Sequence, residues 1–109
     1  MPLIDWDLLL ALKADIGDED FADVITLFVA EMEEKLTELR DAPDRIDADD
    51  FHFLRGSASN LGFVAMERAC DMAEGACRSG DVPDLAAVVA AFEAALQEAR
   101  PRLPELKAA

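Results

Sequence analysis

Glycine and proline are scarce, at five residues each in 109, which argues against a disordered chain. No long uncharged apolar run occurs, so a membrane-spanning helix is not expected. Only two cysteines and one histidine are present. Cys70 and Cys77, seven residues apart on one helix, would stand about 10.5 Å apart, beyond disulfide reach. A zinc site needs closer cysteines and further Cys or His ligands, so none is expected. The two read as buried thiols of a reducing compartment. Positive charge is the other shortage. Ten Lys and Arg face 24 Asp and Glu, leaving a net charge of −14. Such a surface repels phosphate backbones and anionic lipids, so neither nucleic acid nor membrane is an expected partner.

What the chain does contain is apolar residues, at 52%. At this length that composition predicts one domain, 1–109, with one hydrophobic core. The amino terminus, "MPLIDWDLLLALK", carries aspartates where a secretory signal has lysine or arginine, and a cytoplasmic location is expected. The acidity is lopsided: residues 1–50 hold 16 acidic and 4 basic side chains, residues 51–109 hold 8 and 6. From Phe51 to Met66 no acidic residue occurs.

Periodicity predicts helices throughout. In "DEDFADVITLFVAEMEEKLTELR" the residues Phe21, Ile25, Phe28, Met32, Leu36 and Leu39 recur every three or four positions, giving a long helix with one buried and one acidic face. Asp18 or Asp20 can cap its start, and Pro43 follows its end. A second helix has Asp47 as N-cap, or starts nearer Asp44, and terminates at Gly62. It turns Phe51, Leu54, Ala58 and Leu61 to one side and His52, Gly56 and Ser59 to the other. A third buries Met66, Cys70, Ala73 and Cys77 and ends at Gly80. A fourth, from about Pro83 to Pro101, buries Leu85, Val89, Phe92, Leu96 and Ala99. The expected fold is all-α: an antiparallel up-down-up-down four-helix bundle, with a short N-terminal lid helix bearing Trp6 and a frayed "PRLPELKAA" tail.

The second helix raises a chemical question. Gly56 sits inside it, where glycine costs about 1 kcal/mol relative to alanine. Either another helix packs close there, or the missing side chain opens access to His52. Arg55, three residues after His52, is within reach of an anion on the ring, and its guanidinium suits phosphate. Ser59 adds a neutral donor along the same face. A free imidazole titrates near about 6.5, so at neutral pH much of it has a ring nitrogen able to attack. No Ser, Cys or second His is arranged beside it as a triad. The ring therefore reads as a covalent acceptor, and phosphoryl transfer needs chiefly positioning and charge neutralisation. Phe53 and Phe63 either form an apolar docking patch or finish the core. Asp49 could orient the ring or simply favour the helix dipole. Glu74 could approach the imidazole or be a solvated helix residue.

"HFLRGSASNLG", His52 to Gly62, resembles the signature of histidine phosphotransfer (HPt) domains, roughly His-x-Leu-Lys-Gly-Ser-x-x-x-Leu-Gly. His52, Leu54, Gly56, Ser57, Leu61 and Gly62 fit it, and Arg55 replaces the common lysine. The helix order and "RACDMAEGACRSGD" extend the likeness over nearly the whole chain. The resemblance implies a phosphorelay carrier, not an enzyme. His52 would accept a phosphoryl group from the aspartyl phosphate of a receiver domain, usually on a hybrid histidine kinase, and pass it to a response regulator. The receiver would bring Mg²⁺ and catalyse the exchange, with no cofactor held by this chain, which is expected to be a monomer. The competing reading is a noncatalytic helical adapter that binds receiver-like partners through the same face.

Overall fold

In the computed structural model, which describes residues 2–107, all regular structure is helical. Asp5 opens the first helix, α1 (Trp6–Ile16), by accepting a hydrogen bond from the Leu8 N–H at 3.1 Å. Gly17, at φ +89°, ends α1 and leads directly into α2 (Asp18–Asp41), a backbone conformation that glycine adopts at little cost. This corrects the expected cap. Neither Asp18 nor Asp20 accepts a capping bond; both lie within the first turn of α2, where their charge favours the helix dipole.

The apolar stripe of α2 is buried as its periodicity predicts, with Val29 added. After a 3₁₀ turn over Pro43–Arg45, Asp47 begins α3 (Ala48–Asn60) through a reciprocal capping box with Asp50. The Asp47 carboxylate accepts from the N–H groups of Asp49 and Asp50, and Asp50 accepts from the Asp47 N–H at 2.9 Å. Lys35 on α2 pairs with Asp50 at 2.8 Å. The residues near Asp44 thus form a separate turn and not an earlier start to α3.

Gly62 terminates the α3 end at φ +75°, and α4 (Val64–Arg78) packs back along α3. The segment before α1 clamps this turn: the Asp5 N–H donates to the Gly62 carbonyl at 2.7 Å, and the Ala65 N–H donates to the Leu3 carbonyl at 3.2 Å. A β-carbon at position 62 would lie 2.9 Å from the Asp5 carbonyl oxygen, so both conformation and space require glycine there. Helix α5 (Leu85–Ala99), capped by Asp84, packs on α4.

The tail expected to fray is packed over residues 101–107, while Ala108 and Ala109 lie outside the described residues. After Pro101, Leu103 and Leu106 are buried, and the short α6 (Pro104–Lys107) packs on α2 while Glu105 pairs with Lys13 at 2.8 Å. Two leucines three residues apart supply enough apolar surface to hold so short a segment. The lid residue Trp6 is half-buried, donates its indole N–H to Glu98 at 2.7 Å and carries Arg102 over its ring at 3.7 Å. The buried apolar residues form one contiguous core. Cys70 is buried in it and Cys77 half-buried, both as free thiols. Burial pushes the Cys70 thiol up to about 12. Among the described residues no helix is long and apolar enough to cross a membrane.

Candidate functional site

The capping box and the Gly62 turn fix both ends of α3, and with them the direction of its outward stripe. Burying Phe51, Leu54 and Ala58 on one side turns His52, Gly56 and Ser59 away from the core. The imidazole is 62% exposed. Its chain neighbours and own helix backbone aside, a β-carbon placed on Gly56 meets no heavy atom of the described residues within 4 Å. Close helix packing therefore does not explain that glycine, and the space over it is open.

The ring sits against α4. Its Nδ1 lies 3.0 Å from Arg55 Nη2 and 3.3 Å from Glu74 Oε2, and among the described residues Nε2 has no polar contact. These two contacts demand opposite states of one atom. Guanidinium can only donate, so its contact needs a lone pair on Nδ1; an ionised carboxylate can only accept, so its contact needs an N–H there. With Arg55 as partner the ring's proton sits on Nε2. With Glu74 as partner it sits on Nδ1, and Nε2 presents a lone pair to solvent.

Glu74 is built to remain charged. It is buried, and Arg78, one turn along α4, donates to Oε2 through Nη2 at 2.8 Å and Nε at 3.2 Å. The Arg78 hydrogen bonds hold its carboxyl below the usual carboxylate range against the opposing effect of burial, with Arg55 and His52 adding to the same direction. Arg55 Nε approaches Oε1 at 3.3 Å as an ion pair not aligned as a hydrogen bond, and Arg55 Nη1 reaches Asp71 at 3.6 Å.

Of the site residues expected from sequence, His52 and Arg55 touch, and Gly56 lies open one turn along. Ser59 shares their stripe but is half-buried, and its hydroxyl joins no hydrogen bond among the described residues. Phe53 is 47% exposed, next to the histidine. Phe63 is not on this surface. It is fully buried, with its ring centroid 4.9 Å from that of Phe28 in an edge-to-face pair. The positive-φ turn at Gly62 redirects the chain before Phe63, so the facing of α3 does not extend to it. Asp49 does not contact the ring; its N–H belongs to the cap. Glu74 is the ring's carboxylate. The sequence reading did not identify Arg78 or Asp71, although both have a signal in the spacing: one turn after and three residues before Glu74 on the same face.

No curated protein and no solved structure matches the chain. An exposed single histidine with an arginine one turn on and a bare glycine beyond it, in an all-helical core, agrees with a match of the Hpt domain model to residues 23–102, and the chain belongs to the Hpt domain family.

Proposed function

We propose that this chain is a phosphorelay carrier in which His52 Nε2 accepts a phosphoryl group from the aspartyl phosphate of one receiver domain and yields it to the aspartate of another. At family level Hpt domains serve histidine phosphotransfer in phosphorelays. The reading treats the chain as a cytoplasmic monomer, with α2, α3, α4 and α5 as the antiparallel up-down-up-down helices of one domain. It assigns His52 as acceptor and the remaining residues around that atom.

The carrying observation is that, among the described residues, Nδ1 holds both polar contacts of an exposed ring while Nε2 holds none. In the acceptor state Nδ1–H donates to Glu74. The Nε2 lone pair attacks phosphorus, a P–N bond forms, the P–O bond to the partner's aspartate breaks, and that carboxylate leaves. The proton stays on Nδ1, where Glu74 offsets the ring's positive charge. Arg55, on leaving Nδ1, is positioned to grip the arriving phosphoryl oxygens through its planar fork. Ser59 offers a further neutral donor, and Phe53 an apolar contact for the partner. Mg²⁺ is supplied on the partner receiver, where it neutralises the transferring group. The chain supplies acceptor and orientation, so it acts as a carrier and not as an enzyme.

The test is His52→Gln. The variant keeps its helicity and loses acid-labile labelling by a phosphorylated receiver. Retained labelling overturns the proposal, and binding of a receiver with no transfer to wild-type His52 favours an adapter.

A further inference from the structure

Beside the histidine stripe of α3, rotated by one residue, runs a second stripe of Phe53, Ser57 and Asn60 that borders α2. Three of the exposed large apolar side chains lie there: Phe53 at 47%, Leu27 at 59% and Val24 at 37% exposure. Two shallow hollows join them, one floored by Val24, Leu27 and Ser57, the other by Phe53 and Glu34. Glu31 lines both, so the two hollows adjoin, and Phe53 in one of them is the residue next to His52. Its acids are not neutralised from within. Neither Glu31 nor Glu34 forms an ion pair among the described residues, and Lys35, the cation on this face, is held by Asp50 at 2.8 Å.

We infer that Glu31 and Glu34, beside the Val24–Leu27–Phe53 ridge, make this face select a receiver whose facing surface is apolar at its centre and bordered by lysine or arginine. The inference rests on the phosphocarrier reading and identifies which partner that site accepts. A globular partner that brings an aspartyl phosphate to Nε2 also covers the ridge, because the two stripes are neighbours on one helix. An apolar contact inside an acidic border favours a basic border opposite, steers its approach and repels acidic competitors. A second copy of this chain is a poor fit, since it would bring the same acids and a net charge of −14.

The experiment offers the full chain to each receiver domain of its source organism, charged with acetyl phosphate, and follows acid-labile label on His52. The fastest donor is expected to have a basic border. Glu31→Lys combined with Glu34→Lys slows that donor by about tenfold at low salt, with the deficit shrinking at about 0.5 M salt, where charges are screened. Leu27→Asp slows it at both salts, and thermal melts of both variants stay at the wild-type midpoint. Wild-type rates from either variant, or an acidic-bordered receiver as fastest donor, overturn the inference. So does a dimer of the wild-type chain that Leu27→Asp dissolves, which would give the ridge to a second copy. If no receiver labels the folded wild-type chain, the carrier reading fails and the ridge assignment falls with it; failure of the variants alone leaves the carrier standing.

Discussion

Glu74 Oε2 on α4 lies 3.3 Å from Nδ1 of His52 on α3, and the same oxygen accepts both hydrogen bonds from Arg78. One buried carboxylate therefore links the ring to a second guanidinium. In Glu74→Gln the ring loses the charge that favours a proton on Nδ1. Transfer to His52 is expected to slow by about tenfold, the scale of one lost charge-assisted hydrogen bond. Nitrogen chemical shifts of the imidazole check the cause: the population with hydrogen on Nδ1 falls in the variant.

Arg55 bridges the ring and two acids, so its substitutions separate charge from geometry. Arg55→Ala is expected to slow phosphoryl transfer by about tenfold without removing the acceptor, while Arg55→Lys recovers part of the rate as a point charge without the fork. Initial rates of labelling from one phosphorylated receiver measure both. An unchanged rate in Arg55→Ala removes its assigned role.

At Gly56 folding and docking are expected to diverge. Because a β-carbon there meets open space, Gly56→Ala stabilises α3 by about 1 kcal/mol and raises the melting midpoint by about 4–8 °C. Gly56→Leu also melts no lower than wild type, yet it slows transfer by filling the approach to the ring. A thermal melt beside a transfer assay separates the two effects.

Acid sensitivity follows from carboxyls that titrate low in the fold, among them Glu74, Asp50 and Glu105. Glu74 is held down first by its Arg78 hydrogen bonds. For Asp50, burial pushes upward, but the Lys35 hydrogen bond, the Asp47 N–H and the Lys35 charge together prevail. Since both folded values lie below the ordinary ones of 4.5 and 3.8, the stability they contribute is fully present above those values. It is lost as the pH falls through the lower folded values. Urea midpoints measured from neutral pH downward should therefore drop below about pH 4.5. Asp50→Ala, which removes half the capping box, lowers neutral stability by about 1 kcal/mol and flattens part of that acid limb.

The packed part of the tail gives a stability prediction. Leu103 is completely buried, so Leu103→Ala is expected to cost about 2–5 kcal/mol, read as a lower denaturant midpoint at an unchanged slope.

Much of this was legible from spacing. The α2 stripe and the outward turn of His52 follow from helical phase, which needs no knowledge of neighbours. Spacing stops informing where phase ends. Phe63 lies one residue beyond a glycine with positive φ, and Leu103 lies beyond Pro101, so neither inherits a facing from the helix before it. Glu74 was visible as an acid on α4, but whether it met the ring depended on how α3 and α4 register against each other. That register is set partly by Asp5 and Leu3 gripping the intervening turn, a backbone contact with no side-chain pattern to reveal it.

That grip has a mechanical consequence. With Asp47 and Asp50 capping one end of α3 and Leu3 and Asp5 bonded to the turn beyond the other, the backbone that carries the imidazole is tied at both ends. Adjustment of the ring's position then falls chiefly to the rotamers of His52 itself.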